Sequence, residues 1–175
     1  MSWTGRRRAS AVVAVCAAAL AAGLVVRAHV VVPLTVGSSS MEPALSSGDT
    51  VLVTRWAPDA ADLERGDLVV FVDPVERHRT LKRVVGLPGE ELVILDGVLH
   101  VDGRAVREPW LPDEALDGYF SRTFEIPPGR VFVLGDNRGN SIDSRDYGSI
   151  GAVDLTGRVL ARVWPPGRLA QGGGP

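Results

Sequence analysis

Apolar and polar residues alternate along most of the chain after residue 28, which is typical of half-buried β-strands. Asp96-Gly97 and Asp102-Gly103 are two signals for tight hairpin turns. The alternation predicts strands at residues 29–36, 49–56, 67–72, 81–85, 91–95, 130–134 and 154–164. The many turn residues, 20 Gly and 12 Pro, fit the same picture. We therefore predict a mainly β fold.

The first 28 residues follow a different pattern. Three arginines at 6–8 precede an uncharged run of Ala, Val and Leu from residue 9 to residue 26, and Arg27 ends it. Such a run, as a helix, spans about 27 Å, close to the hydrocarbon thickness of a bilayer. It is long for the core of a cleaved signal peptide, no Ala-x-Ala site follows it, and it lacks the polar face of a helix on a soluble domain. We predict a transmembrane anchor at residues 9–27.

The arginine cluster places residues 1–8 in the cytoplasm, so the chain is predicted to cross the cell membrane once with its main domain outside. That extracytoplasmic domain spans residues 28–169, and residues 170–175 form a flexible tail. Residues 103–128 are less regular and predict an inserted lobe or flap.

Composition narrows the possible partners. A net charge of −2 gives no electrostatic case for nucleic acid as a partner. One cysteine, Cys16, excludes an internal disulfide and a Cys-rich zinc site. We therefore expect neither a metal nor a cofactor.

Lys82 is the only lysine among 19 basic residues, and the other 18 are arginines. Codon bias toward Arg would explain this as an accident. Yet an arginine can take the place of a lysine in surface charge, ion pairs and phosphate binding. The one property it lacks is the ability to lose its proton near neutral pH. Lys82 lies in an apolar strand, and desolvation there would lower its pKa and suit it to act as a general base. Strand alternation puts Lys82 and Arg83 on opposite faces.

Two other segments carry candidate chemistry. Ser38, Ser39 and Ser40 follow an apolar run, and a hydroxyl on a tight turn is a candidate nucleophile if a base lies nearby, although a serine run is more often a flexible loop. Residues 135–145 are rich in Asp, Asn, Ser and Arg but fail the calcium-loop pattern, since Ser141 stands where glycine is needed. A side-chain network fits better, with an Asp143–Arg145 ion pair and a hydrogen bond from Ser141.

These segments, in this order, resemble bacterial type I signal peptidases, which are membrane-bound serine proteases. The resemblance rests on Ser-x-Ser-Met-x-Pro at residues 38–43, on the runs at 65–71 and 82–89, and on Gly-Asp-Asn-Arg-x-Asn-Ser-x-Asp-Ser-Arg at 135–145. Each motif is weak alone, and the set is specific. It implies a largely antiparallel β catalytic domain resting on the membrane, acting on secretory preproteins that carry small residues before the cut.

The resemblance also implies a role for each matched residue. Ser40 is the nucleophile and Lys82 the general base of a Ser/Lys dyad. The Ser38 hydroxyl and the Ser40 backbone N–H form the oxyanion hole. The supporting residues are Ser141, which hydrogen-bonds Lys82, and the bracing pair Asp143 and Arg145.

The chain departs from the family pattern at two places, and its sequence leaves two alternative functions open. Residue 44 is Ala where the family usually has Thr, and the lobe at 103–128 is shorter than in some relatives. Self-cleaving repressors use a similar Ser/Lys domain, but they carry a helix-turn-helix instead of an anchor. A catalytically inactive, anchored binding module of the same fold is the other alternative, and it is favoured if Ser40 and Lys82 lie far apart.

Overall fold

The computed structural model describes residues 12–21, 23, 30–112 and 122–166, and the strands among them form two β-sheets. The larger sheet has the strand order β1-β2-β11-β3-β4-β9-β10 and the smaller has the order β7-β6-β5-β8. The strands are β1 (Val31–Thr35), β2 (Thr50–Thr54), β3 (Leu68–Val72), β4 (Arg79–Gly86), β5 (Glu91–Leu95), β6 (Val98–Val101), β7 (Arg104–Ala105), β8 (Phe124–Glu125), β9 (Arg130–Leu134), β10 (Ile150–Gly151) and β11 (Leu155–Trp164). All the strand pairs are antiparallel, which confirms the mainly β, largely antiparallel fold.

The strands lie close to the ranges that alternation predicts. The strand predicted at 81–85 is longer, because β4 begins at Arg79 and runs to Gly86. Pro33 lies inside β1, where it is tolerated because β1 is at the edge of the larger sheet. Strand β10 and the one-turn helix Ser144–Tyr147 were not predicted, since neither is long enough to show a period.

Apolar residues fill the interior in three clusters. One cluster joins the two sheets and contains Trp110, Phe124 and Phe132. Another lies under β1 and β2 and includes Met41 and Leu45, which are 1% and 0% exposed. Because Met41 directly follows the serine run, the core itself fixes the turn that carries those serines.

Residues 12–21 and 23 are helical. No helix within the described ranges is both long and apolar enough to cross a membrane. The predicted cytoplasmic segment 1–8, the remainder of the predicted anchor 9–27 and the predicted tail 170–175 lie outside the described residues.

The region predicted as a lobe, 103–128, supplies the two outer strands of the smaller sheet, β7 and β8. The two inner strands, β5 and β6, precede it in the chain and pair through the Asp96-Gly97 turn. Asp96 and Asp102 have positive φ, as the two predicted Asp-Gly turns require. Residues 113–121 of this region lie outside the described residues.

Candidate active site

The three serines lie on a turn between β1 and β2. Two backbone hydrogen bonds close it, from Glu42 N to the carbonyl of Ser39 at 3.1 Å and from Leu45 N to the carbonyl of Met41 at 2.9 Å. Ser40 is 9% exposed, whereas Ser38 lies on the surface. Their hydroxyl oxygens are 3.1 Å apart and share a hydrogen bond. The turn therefore presents one buried hydroxyl with a second hydroxyl beside it.

Two asparagines of the polar loop at residues 135–145 donate hydrogen bonds to this turn. The backbone N–H of Asn137 donates to the Ser40 carbonyl at 3.0 Å, and its side-chain amide donates to the Ser39 carbonyl at 3.2 Å. The amide of Asn140 donates to Ser39 Oγ at 3.1 Å. The Ser39 hydroxyl thus has a different partner from the Ser38 hydroxyl. No local sequence pattern points to either asparagine as a contact, because both lie about a hundred positions further along the chain.

Lys82 lies in the middle of β4 and is 3% exposed. Its ammonium group donates to Ser141 Oγ at 2.9 Å. Burial lowers the pKa of Lys82, and the carboxylates of Asp143 and Asp73 oppose that shift only in part. Removal from water penalises the ammonium form, so a larger fraction of Lys82 is neutral than of a free lysine at the same pH.

Sheet topology brings the lysine to the polar loop. Strand β4 pairs with β9, and Arg83 lies opposite Leu134, the last residue of β9. The loop at residues 135–143 begins directly after Leu134, so it starts beside Lys82. This register explains how residues more than fifty positions apart meet.

Gly135 separates the serine turn from the partner of Lys82. A Cβ added at Gly135 would lie 2.2 Å from Ser141 Oγ and 2.6 Å from the Ser40 carbonyl oxygen. The Ser40 backbone and the Ser141 hydroxyl therefore converge on one point that only glycine leaves open. Ser40 Oγ is bonded to Ser38 and Lys82 Nζ to Ser141, so the two side chains are linked through Ser141 and the Ser40 backbone rather than by a direct hydrogen bond.

Asp143 organises the end of the loop. Its buried carboxylate accepts from the Gly135 backbone N–H at 3.0 Å and pairs with Arg145 through bonds of 2.9 Å to Nε and Nη2. It also caps the helix Ser144–Tyr147, in a reciprocal capping box with Asp146. The ion pair between Asp143 and Arg145 is thus present, and it ties the loop to Gly135.

A second buried ion pair follows the lysine. The Arg83 guanidinium binds both carboxylate oxygens of Asp136, at 2.8 and 2.7 Å, and donates to the Gly66 carbonyl. Both side chains are fully buried. Lys82 and Arg83 therefore reach different partners, in keeping with their predicted opposite directions. This pair has no signal in the sequence, because nothing local to Arg83 points to Asp136.

An open groove of about 270 Å³ leads to the serine turn. One wall comes from the end of β1 and the turn, and the other from the start of β4. Its lining residues are Leu34, Thr35, Val36, Gly37, Ser38, Met41, His78, Arg79, Thr80 and Leu81. His78 of this lining is a second side chain that could act as a base, but it is exposed, and its Nδ1 lies 3.3 Å from the Glu76 carboxylate.

Metal ligands do not gather at the site. Within the described ranges, no group of three or more His, Cys, Asp or Glu side chains converges so that it could hold a metal ion. The chemistry that the arrangement offers is that of hydroxyls, one lysine amine and a buried carboxylate network.

Comparisons with known proteins identify the family. The family model for signal peptidase, peptidase S26, matches residues 8–164. Signal peptidase I of Bacillus caldolyticus is 36% identical over 142 residues, covering 74% of this chain and 78% of its own. Signal peptidase IB of Staphylococcus aureus is 33% identical over 157 residues, covering 81% and 82%.

A solved structure agrees with the sequence comparisons. The crystal structure of a signal peptidase I from Enterococcus faecalis V583 is similar to this fold, with a TM-score of 0.50 and 30% identity. The likeness covers 57% of this chain and 97% of that one. The chain belongs to the S26 family of signal peptidases and is a serine endopeptidase of the bacterial type I group.

Proposed function

We propose that this protein removes N-terminal signal peptides from secreted preproteins, with Ser40 as nucleophile and Lys82 as general base. The observation that carries the proposal is the buried Lys82 amine, which has a lowered pKa and whose partner Ser141 lies next to the backbone of the Ser40 turn. A free lysine is only about 0.04% neutral at pH 7. Burial is therefore the feature that makes a lysine base workable.

The proposed reaction begins with transfer of the Ser40 proton to neutral Lys82. Ser40 Oγ then attacks the scissile carbonyl, and the oxyanion is stabilised by the Ser38 hydroxyl and the Ser40 backbone N–H. The protonated Lys82 returns its proton to the leaving amine. Water, deprotonated by the same lysine, then attacks the acyl-enzyme; the ester bond to Ser40 breaks, the signal peptide leaves, and Lys82 returns the proton to Ser40 Oγ.

The free enzyme holds both reacting groups on other partners. Ser40 Oγ is bonded to Ser38, and Lys82 Nζ to Ser141. Catalytic hydrogen bonds commonly tighten only when substrate is bound. In the proposed step, a rotation about χ1 of Ser40 moves its hydroxyl from Ser38 toward Lys82 and frees Ser38 to donate to the oxyanion.

The supporting residues keep the lysine in place. Ser141 binds the amine directly, while Asp143 accepts from the Gly135 N–H and Arg145 donates to the Ser141 carbonyl. Their proposed role is to position the amine rather than to touch the substrate.

The groove beside the serine turn is the proposed binding site for the residues before the cut. Among the described strands β1 is at the edge of the larger sheet, so its outward backbone groups can bind an extended peptide. The groove holds about 270 Å³ and part of its lining is apolar, which favours small uncharged side chains next to the scissile bond. Secretory preproteins have such residues there, as the resemblance to type I signal peptidases implies.

The proposed location is the extracytoplasmic face of the cell membrane, with residues 9–27 as the anchor. Substrate signal peptides lie in the same bilayer, so an anchor would bring enzyme and cleavage site together. Protease added to intact spheroplasts should then digest residues 28–175. Protection of that region from external protease would reverse the orientation.

Incubation with a secretory preprotein tests the function. The product, analysed by N-terminal sequencing, should begin directly after the signal peptide. Ser40→Ala should abolish cleavage, and Ser39→Ala serves as the matched control, because the Ser39 hydroxyl is bonded to Asn140. Product formation by Ser40→Ala would exclude Ser40 as nucleophile. If wild-type protein binds the preprotein without cutting it, the chain is an inactive, anchored binding module instead.

A further inference from the structure

Residues 106–112, which we call the strap, connect the smaller sheet to the buried arginines of the site. The strap follows β7, and its Trp110 is 5% exposed and packs in the cluster between the two sheets. The Trp110 ring lies 4.8 Å from the guanidinium carbon of Arg83, the residue after the lysine. Trp110 therefore both anchors the strap in the apolar core and contacts Arg83 beside the site.

Glu108 gives the strap a second contact with the site. Its carboxylate receives two hydrogen bonds from Arg138, from Nη1 at 3.0 Å and from Nη2 at 2.5 Å. Both side chains are buried, with 4% and 3% of their surfaces exposed. The third donor of the guanidinium, Nε, binds the Gly135 carbonyl at 3.1 Å. A continuous chain of contacts thus runs from Glu108 through Arg138 to Gly135.

The Gly135 backbone lies between the serine turn and Ser141, so its position affects the geometry of both. The Ser40 carbonyl and Ser141 Oγ both lie within 2.6 Å of the place where its Cβ would be. A shift of the Gly135 backbone would change the spacing between the serine turn and the partner of Lys82. A misplacement of about 1 Å in a catalytic array can cost about 100-fold in rate.

A contribution to stability alone does not account for this pair. Buried ion pairs are costly to desolvate, and an apolar pair of similar volume is often as stable or more so. What an apolar pair cannot provide is the hydrogen bond that a charged guanidinium, oriented by a carboxylate, donates to the Gly135 carbonyl.

We propose that Glu108 is a positioning residue for peptide-bond cleavage, acting through Arg138 on the Gly135 backbone. This rests on the proposed function and adds to it a role for the strap that precedes residues 113–121. Neither Glu108 nor Arg138 lines the groove beside the serine turn. Loss of the pair should therefore lower kcat and leave substrate binding largely unchanged.

Two variants and one matched control test the proposal on full-length protein with a preprotein substrate. Glu108→Gln keeps the shape and removes the charge. The double variant Glu108→Met with Arg138→Met removes both charges and restores an apolar interior. Glu90→Gln is the control, because Glu90 forms a similar two-point pair with Arg65 away from the loop, at 3.1 and 2.7 Å.

We expect Glu108→Gln and the double variant to lower kcat by about 10- to 100-fold, measured well below the Tm of each variant. KM should change by less than about threefold, because the groove is untouched. The double variant should have a Tm at least equal to that of Glu108→Gln, because it leaves no unpaired buried charge. Its kcat should still be low, because it lacks the hydrogen bond that positions the Gly135 backbone. Glu90→Gln should lose Tm while keeping kcat.

Wild-type kcat in either Glu108 variant, or recovery of kcat in step with Tm in the double variant, would overturn the positioning role. A fall in kcat of Glu90→Gln equal to that of Glu108→Gln would overturn it as well. The proposed function fails separately, by absence of cleavage in the wild-type protein or by full activity of Ser40→Ala.

Discussion

Lys82 combines a functional advantage with a cost to folding. At 3% exposure its ammonium form is desolvated, which lowers the pKa and leaves the folded state with fewer bound protons than the unfolded state. Stability therefore rises with pH between the lowered folded pKa and the ordinary lysine value near ~10.4. Below the folded pKa the full cost of the buried charge is present.

Lys82→Met should accordingly stabilise the protein while abolishing cleavage. Each pH unit by which the folded pKa lies below the unfolded value contributes about 1.4 kcal/mol to the gain in free energy of unfolding. The gain should be largest below the folded pKa and shrink as the pH approaches that of free lysine. Urea unfolding at several pH values measures it. A loss of stability at neutral pH would mean that the amine is better solvated than its burial indicates.

Ser38 and Ser39 give a contrast between neighbouring hydroxyls. Ser38 Oγ lies 3.1 Å from Ser40 Oγ, whereas Ser39 Oγ is bonded to Asn140. If the Ser38 hydroxyl stabilises the oxyanion, Ser38→Ala should lose about 2.7–4 kcal/mol of transition-state stabilisation, seen in kcat with KM little changed. Ser39→Ala should have a small effect. Equal losses in the two variants would remove Ser38 from the oxyanion hole.

At the scale of elements, the loop that begins at Gly135 is the part with least room. Gly135→Ala would place a methyl group 2.2 Å from Ser141 Oγ and should lower kcat by about 100-fold. Gly86→Ala is the matched control, because its Cβ would meet Ile126 Cδ1 at 2.3 Å inside the apolar cluster. The control should lower Tm and spare kcat per folded molecule. The measurements are the kcat and the Tm of both variants. A normal kcat in Gly135→Ala would show that Ser40 and Ser141 do not approach Gly135 as closely as described.

The elements themselves were largely predictable, because each long strand carries its own local signal. Alternation located β2, β3 and β5, and the Asp-Gly pairs located the hairpins beside β6. The two-residue strand β10 and the helix Ser144–Tyr147 escaped, since two to four residues cannot show a period. The Asp143–Asp146 spacing was an available signal for the helix start, given the capping box they form.

At the scale of the whole molecule, the site depends on contacts that no local pattern encodes. Resemblance to a family supplied Ser40, Lys82 and Ser141, and the lone lysine drew attention to the same position. The buried pairs of Arg83 with Asp136 and of Arg138 with Glu108 were not predicted. Each joins segments at least 30 residues apart, and only the assembled sheets place their partners together.

The substitution Lys82→Arg decides whether Lys82 serves as a base. We compare preprotein cleavage by wild type, Lys82→Arg and Lys82→Ala across a range of pH, after confirming by circular dichroism that each variant is folded. The wild-type rate should rise with pH through the lowered lysine pKa, because the neutral amine is the active form. Lys82→Arg should be as inactive as Lys82→Ala, because a guanidinium stays protonated. Near-normal cleavage by Lys82→Arg would show that Lys82 is not the base.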